Sequence, residues 1–290
     1  MIVYNCLQSC ETSLPCFIDN FSDSFLPLLC DSLTIVKDQD WIILCISEHF
    51  LSIETFLPII FTYGSSNCRC NVLDVLIHSL DEETPDHVLD FMTKQFQVQS
   101  DLIALSESPE TLDNAVLTVK VLEFLCVASS RDGHDRKFLA DGNLLSTVVG
   151  VLRKVTAAGK SETSGEFGLS QIRSPPVGSV ELSDNPVAGF KSSLIRVIGN
   201  LCYRCPENQT KVRELGGIGL VLEHFNLDDN NPFIQQWSVL AIRNICEGNV
   251  ENQEVVTAYE RLTAAESPIL QRPGVALELK PPSVNPEPYT

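Results

Sequence analysis

The chain has 290 residues, 44% of them hydrophobic, and a formal net charge of −18 with a pI near 4.6. Such a negative field repels phosphate groups, so we expect neither nucleic acid nor an anionic membrane surface as a partner. The longest uninterrupted apolar run, residues 41–46, is far shorter than a membrane-spanning helix, and no basic segment precedes an apolar stretch at the N-terminus. The expected location is therefore cytoplasmic.

Apolar residues recur at helical spacing through the first half of the chain. The pattern predicts helices around residues 25–36, 72–80, 88–96 and 112–126. Sustained period-two alternation is not found anywhere, so the sequence predicts an all-α fold. The chain begins with apolar residues and no polar cap, which in a helical solenoid indicates that preceding repeats are missing.

Two segments lack this periodicity. Residues 157–189 are rich in Gly, Ser and Pro and are predicted to form a flexible insertion between repeats. Ser174, which precedes a proline there, is a candidate phosphorylation site. Residues 263–290 form a Pro-rich tail with a short extended piece predicted at 275–279. The predicted organisation is thus helical repeats over 1–156, the insertion, C-terminal repeats over 190–262, and the tail.

The second half contains an internal repeat. Residues 197–212 read VIGNLCYRCPENQTKV and residues 241–256 read AIRNICEGNVENQEVV, matching at seven of sixteen positions at an offset of 44. A helical repeat of roughly 40–47 residues is typical of armadillo and HEAT proteins. A weaker copy of the helix precedes them at residues 120–126. These observations predict an armadillo/HEAT-like right-handed helical solenoid.

Each copy is predicted to contain a helix, a break, a short helix, a glycine turn and another helix. In the first copy Cys205-Pro206 makes the break, Asn208 caps the next helix, and Gly216-Gly217 ends it. Asn231-Pro232 is predicted to start the following helix, with the asparagine as its N-cap. That helix is apolar nearly all round, so we expect it to be buried between neighbours.

The sequence FKSSLIRVIGNLCYRCPENQTKVRELGGIGLVLEHFNLDDNNPFIQQW, residues 190–237, closely resembles the C-terminal domain of the ataxin-10 family. The resemblance continues through AIRNICEGNVENQ and, more weakly, back through residues 116–126 and 40–51. It implies an armadillo solenoid without catalytic activity. It also implies roles in neuron survival, neurite outgrowth, cytokinesis and cilium-linked processes, at perinuclear, midbody or cilium-base locations. Family members are usually longer at the N-terminus, so we expect a shortened form or a partial gene model.

Asn200 and Asn244 occupy the same slot in the two copies. In peptide-binding armadillo proteins an asparagine of this helix hydrogen-bonds the backbone of an extended ligand. With Arg196 and Arg243 nearby, they form a candidate partner groove. The competing interpretation, which we favour, is that the asparagines only tie loops or neighbouring repeats together, because buried amides are normally satisfied within the protein. Trp is absent four residues before each asparagine, so an importin-like mode is not supported.

Other motifs indicate structure rather than chemistry. The repeated Glu-Asn-Gln at 207–209 and 251–253 is interpreted as a helix start whose amides cap free N–H groups. The glycine-rich stretch 215–219 lacks the Lys-Ser/Thr of a P-loop, and residues 228–231 lack the pattern of a calcium loop. The cysteines lack zinc spacing and the histidines lack a catalytic context. We therefore expect no catalytic, metal or cofactor site.

The sequence favours a non-catalytic scaffold that binds other proteins, with basic or mixed-charge surfaces as partners and homo-oligomerisation left open. Two alternatives remain. One is a regulator of a G protein acting through the solenoid surface. The other is a thiol-dependent enzyme that uses one of the eleven cysteines beside a histidine.

Overall fold

The computed structural model describes residues 25–32, 40–102, 110–131, 138, 142–160, 189–225, 231 and 233–266. Within these ranges the chain forms twelve α-helices, one π-helical turn and one 3-10 turn, and no strand. The π-helical turn Cys45–His49 and the 3-10 turn Phe50–Ser52 follow the second helix directly. The predicted all-α fold is confirmed.

The helices are numbered in chain order. The first six are α1 Phe25–Asp31, α2 Asp40–Leu44, α3 Phe56–Tyr63, α4 Ser66–Ser79, α5 Asp86–Leu102 and α6 Glu110–Ala128. The next six are α7 Gly142–Lys160, α8 Phe190–Cys202, α9 Pro206–Glu214, α10 Gly217–Leu222, α11 Ile234–Cys246 and α12 Val250–Glu266. Helix α7 continues to Lys160, into the start of the predicted insertion. The remainder of that insertion lies outside the described residues, as does the predicted extended piece at 275–279.

The helices stack in two layers. Helices α4, α6, α8 and α11 lie side by side in that order, and we call them the inner layer. Helices α3, α5, α7, α9, α10 and α12 follow one another behind it, with α5 on α6, α7 on α8 and α10 on α11. The apolar core lies between the layers and includes the fully buried Phe96, Phe124 and Phe190. This repeated stacking is that of a helical solenoid, as the 44-residue period predicts.

No single helix of the described chain is long and apolar enough to cross a membrane. One pair of helical segments passes that test only in combination, Trp41–Ser52 with Phe56–Tyr63, and it is bent by 117°.

Helices α8 and α11, one from each repeat copy, pack closely against each other. Gly199 lies on α8 where a Cβ atom would stand 2.9 Å from the Cα of Ala241. The two helix backbones can therefore meet only because position 199 has no side chain. The opposite face of α11 is exposed, with Val239 at 52% and Leu240 at 37%. The prediction that this helix is buried between neighbours is wrong for that face, on which none of the described elements packs.

Left-handed residues mark the turns of the repeat. Gly216 has φ of 67° and follows the end of α9, as predicted for a glycine that ends a helix. After α11 the turn uses Gly248, with φ of 70°, whereas the same slot in the first copy holds Arg204 with φ of 51°. A side chain in this conformation costs about 1 kcal/mol or more. The second copy therefore uses the residue that favours this conformation, and the first copy adopts it with a side chain present.

Two predicted N-caps are wrong. Helix α9 has Cys205 at its N-cap and Pro at the start, which puts Asn208 inside the helix. Helix α11 begins at Ile234, and its N-cap is Phe233 with φ of 62°. The side-chain oxygen of Asn231 instead accepts a hydrogen bond from the Lys191 backbone N–H at 2.9 Å, which joins the start of α8 to the loop before α11. At both positions the asparagine side chain hydrogen-bonds a backbone group elsewhere in the chain, and not the helix N-terminus that the local pattern predicts.

The contact at Gly199 generates a stability prediction. Gly199→Ala should lower the free energy of unfolding by about 1–3 kcal/mol, because the new methyl group meets helix backbone that must shift. The measurement is the midpoint and slope of urea denaturation.

Gly150→Ala is the matched control, because it also lies within a helix but a Cβ there would have no atom within 4 Å. It should gain about 0.5–1 kcal/mol, the usual advantage of alanine over glycine in a helix. Equal stabilisation by both substitutions would contradict the close contact of α8 with α11.

Candidate partner surface

The exposed side of the inner layer carries polar side chains that bridge successive helices. The Lys120 ammonium pairs with the Asp74 carboxylate between α6 and α4. The Arg196 guanidinium lies over the Trp237 ring, 4.8 Å from its centroid, between α8 and α11. We call these four residues and Arg243 the inner-layer surface. Partly exposed pairs of this kind contribute at most about 1 kcal/mol each, so these charged groups add little to the stability of the fold.

Asn200 links α8 to α6. Its amide donates to the backbone oxygen of Cys126 at 3.3 Å and to the Ser129 hydroxyl at 3.0 Å. Both acceptors lie in the last turn of α6 or just beyond it, where carbonyl groups lack helical partners. The side chain is partly exposed. Asn200 therefore ties two neighbouring inner-layer helices together at the edge of the surface.

Asn244 links α11 to α8 in the same sense. It is buried, and its amide donates to the backbone oxygen of Gly199 at 3.0 Å. The neighbouring Arg243 is exposed. These bonds agree with the interpretation that the asparagines connect neighbouring repeats. A role for the four predicted groove residues in holding a ligand stays a prediction.

The repeated Asn-Gln pairs lie where one helix ends and the next begins. The Asn208 amide donates to the Leu201 backbone oxygen at 2.8 Å, and the Asn252 amide donates to the Ile245 backbone oxygen at 2.8 Å. Both donors therefore satisfy carbonyl groups of the preceding helix. The prediction that these amides cap N–H groups is wrong. In the second copy the residue that caps a backbone N–H is Asn249, whose side-chain oxygen accepts from the Asn252 N–H at 3.1 Å.

Gln209 joins the two copies. Its buried amide donates to the backbone oxygens of Cys202 at 3.3 Å, Asn244 at 2.9 Å and Glu247 at 3.1 Å. Two amide hydrogens are thus shared among three carbonyl groups at the ends of α8 and α11. The equivalent Gln253 is exposed and donates only to Cys246, at 2.9 Å. The same residue therefore has an inter-repeat role in one copy and a local role in the other.

Sequence reasoning missed a polar network around Gln209. The Arg213 guanidinium donates to the side-chain oxygens of Asn252 at 2.7 Å and Asn249 at 3.3 Å. The Asn252 amide donates to the Gln209 backbone oxygen at 3.0 Å, and Asn249 donates to the Gln209 side-chain oxygen at 3.3 Å. The identity of the Asn-Gln pairs across 44 residues was the available signal. Arg213 gave no such signal in the sequence, because the equivalent residue in the second copy is Thr257.

Burial works against a thiolate nucleophile at five of the described cysteines. It raises the pKa of Cys126 from 9.0 to about 12 and that of Cys45 to about 11. It also raises the pKa of Cys202, Cys205 and Cys246, while a hydrogen bond with Cys68 raises that of Cys30. Reactive cysteines have the opposite shift. These thiols are therefore unsuited to the thiol-dependent chemistry of the alternative hypothesis.

Within the part of the chain that the structure describes, no three His, Cys, Asp or Glu side chains come together as a metal site would require. Ser174 lies outside the described residues.

The sequence is similar to that of a known protein family. Residues 190–284 match the family model described as "Spinocerebellar ataxia type 10 protein domain", which includes helices α8 to α12. The chain is 33% identical over 252 residues to Ataxin-10 of Xenopus tropicalis, covering 83% of this chain and 51% of that protein. It is 32% identical over 257 residues to Ataxin-10 of Homo sapiens, covering 84% and 52%.

A shorter match has a higher identity. The chain is 54% identical over 72 residues to the Ataxin-10 homolog of Dictyostelium discoideum, covering 25% of this chain and 12% of that protein. No solved structure matches. The chain spans about half the length of the animal relatives that it matches.

The three carbonyl contacts of Gln209 predict an asymmetry between the copies. Gln209→Met keeps the volume of the side chain but leaves buried carbonyl groups unpaired, so it should cost about 2–3 kcal/mol of unfolding free energy. Urea denaturation measures the loss.

Gln253→Met is the matched control, because it is at the equivalent position but the Cys246 carbonyl oxygen that it bonds can be hydrated instead. It should cost less than about 1 kcal/mol. Equal losses at the two positions would show that Gln209 does not join the repeats.

The raised thiol pKa of Cys126 predicts slow alkylation. A pKa of about 12 in place of 9.0 leaves about a thousandfold less thiolate at pH 7, and burial further limits access. Iodoacetamide labelling followed by mass spectrometry should be at least about a hundredfold slower at Cys126 in the folded chain than in urea. The half-buried Cys70 is the internal control for reagent activity. Equal rates at Cys126 in both conditions would refute the burial argument.

Proposed function

Because the chain belongs to the ataxin-10 family, we propose that it is a non-catalytic scaffold that binds other proteins along its inner-layer surface. The proposal is supported by the side-by-side stacking of α4, α6, α8 and α11, and by the contacts Lys120–Asp74 and Arg196–Trp237 between successive helices. Stacked repeats form an extended surface that is already ordered, so a partner has little conformational entropy to remove on binding.

The partner class follows from charge. The whole chain is strongly acidic, whereas the inner-layer surface contains Asp74 together with Lys120, Arg196 and Arg243. Partners with basic or mixed-charge surfaces suit this combination, because the overall field favours their approach and the local charges of both signs can pair with them. A second copy of the chain is among the partners that such a surface could take.

The contact residues that we propose are Arg196, Asn200, Arg243 and Asn244. Arg196 and Arg243 would donate to the partner directly, and the asparagines would hold their helices in register. Phosphorylation at Ser174 would add negative charge to the segment between α7 and α8 and so alter partner access.

The processes that we propose come from the family resemblance. They are neuron survival, neurite outgrowth, cytokinesis and cilium-linked functions. The proposed location is the cytoplasm, including perinuclear, midbody and cilium-base sites.

The scaffold proposal is tested by comparing two double variants of the tagged chain in a neuronal lysate. Arg196→Ala/Arg243→Ala removes two positive charges from the inner-layer surface. Lys94→Ala/Lys154→Ala removes two from exposed positions on α5 and α7 in the other layer, so the net charge of the two variants is the same. Quantitative mass spectrometry of co-purifying proteins should show partners reduced about tenfold or more by the first variant only.

Circular dichroism and urea denaturation of both variants control for folding. Equal recovery of every co-purifying protein by the two variants would refute the assignment of the inner-layer surface. Absence of any specific co-purifying protein with the unmodified chain would refute the scaffold itself.

A further inference from the structure

The turn between α8 and α9 has a cysteine at each end. Cys202 is the last residue of α8 and Cys205 is the N-cap of α9, and both are free thiols. In the second copy the equivalent positions hold Cys246 and Asn249, and the asparagine caps the following helix. A thiol is a weak hydrogen-bond acceptor, and the Cys205 side chain makes no cap bond. The first copy therefore has a second thiol where the second copy has a capping amide.

The backbone of this turn holds the two cysteines close together. Tyr203 has φ of −62° and ψ of 116°, and Arg204 has φ of 51°, as in a type II β-turn. The Cys205 N–H closes the turn by donating to the Cys202 backbone oxygen at 3.3 Å. The end residues of such a turn have Cα atoms less than about 7 Å apart, and disulfides span Cα separations of about 4.4–6.8 Å. The two cysteines are therefore placed at a separation that a disulfide can span.

The second copy forms the same turn without a second thiol. Glu247 has φ of −62° and ψ of 113°, and Gly248 has φ of 70°. The Asn249 N–H donates to the Cys246 backbone oxygen at 3.2 Å. The turn is thus a property of the repeat, and the reduced first copy already has the backbone arrangement that the bond needs.

Cys205 is the thiol that a small oxidant can reach. It keeps 5% exposure between the exposed Arg204 and Pro206, whereas Cys202 is fully buried. The Cys205 thiol donates to the exposed Glu207 carboxylate at 3.5 Å, and this carboxylate can accept its proton. A reaction with an oxidant can therefore begin at Cys205 and end at Cys202.

The raised pKa values of the two thiols affect the rate of such a reaction and the stability of its product in opposite ways. Burial raises the pKa of Cys202 and of Cys205, and the neighbouring Cys205 thiol raises that of Cys202 further. The thiolate that must attack is therefore scarce, and the reaction is slow at neutral pH. The reduced form, however, lacks the stabilised thiolate that makes some Cys-x-x-Cys disulfides easy to reduce. A disulfide here should form slowly and persist.

We propose that Cys202 and Cys205 are a site of oxidative modification, where a low-molecular-weight disulfide such as glutathione disulfide converts them into a disulfide across the α8–α9 turn. Cys205 loses its proton to Glu207, attacks one sulfur of glutathione disulfide and releases one glutathione thiolate, which takes up that proton through solvent. Cys202 then attacks the Cys205 sulfur, and its proton leaves with the second glutathione. The two cysteines lose two electrons and two protons, and the oxidant is reduced to two glutathione molecules. This inference does not rest on the proposed function, because it concerns the chemistry of the chain alone.

The bond lies at the junction of the two repeats. The Cys202 backbone oxygen is one of the three acceptors of the Gln209 amide, which also bonds Asn244 at the end of α11. A disulfide across the turn therefore links α8 to α9 covalently, next to the side chain that joins the two copies.

The test uses the whole chain, first reduced and then equilibrated in a buffer of glutathione disulfide and glutathione. Remaining thiols are blocked with N-ethylmaleimide in urea, and the chain is digested with trypsin without reduction. Trypsin cleaves after Arg196, Arg204 and Lys211, so the disulfide leaves peptides 197–204 and 205–211 joined, each with one cysteine. Mass spectrometry should detect this joined pair, and the two peptides should separate on reduction.

Two comparisons make the result specific to the folded turn. In urea the same two cysteines lack the turn, and the equilibrium constant for joining them should be at least about tenfold smaller than in the folded chain. Cys205→Asn places the residue of the second copy in the turn, and the buried Cys202 should then stay reduced in the same buffer. Circular dichroism of this variant controls for its folding.

Three outcomes would overturn the inference. The first is the absence of the joined peptides from the folded chain. The second is an equilibrium constant as large in urea as in the folded chain. The third is the recovery of Cys202 or Cys205 joined only to glutathione or to another cysteine.

Discussion

The structure depends on one constraint, the burial of each inner-layer helix against the next. An amphipathic helix of 13 residues such as α8 is marginal alone in water, so most of its stability comes from packing. Between α8 and α11 this packing is closest at Gly199 and Ala241, where the helix backbones nearly touch. The layer behind then follows, because its helices pack on the inner-layer helices and bury their apolar sides.

Close stacking creates a second requirement, the satisfaction of carbonyl groups at buried helix ends. Each helix leaves its last carbonyl oxygens without partners inside the helix, and at a repeat junction water cannot reach them. The amides of Asn208, Gln209 and Asn252 supply those partners. This explains why the most similar part of the two copies is polar rather than apolar. An amide is one of few side chains that can donate twice without carrying a charge into the interior.

Function is proposed for the surface that remains after these requirements are met. Side chains that hold the stack are buried or engaged with carbonyl groups, whereas Lys120, Arg196 and Arg243 project from the inner layer with weak internal contacts. Six of the described cysteines give no comparable support to chemistry, because burial, or at Cys30 a hydrogen bond with Cys68, raises their pKa values. Charged side chains on stacked helices suit recognition, and the ataxin-10 family membership agrees with a non-enzymatic role.

The sequence by itself determined the helical class, the 44-residue period and the glycine turn at Gly216. The helical class depends on spacing within one helix and the turn on the φ preference of one residue, both of which are local, and the period is visible as repeated residues in the sequence. Only the tertiary structure decided where the side chains of Asn208, Gln209 and Asn231 donate or accept, because their partners lie up to 40 residues away in sequence. The same reason applies to the exposure of α11. An apolar pattern records which side chains could be buried, but burial itself depends on whether another element lies opposite them.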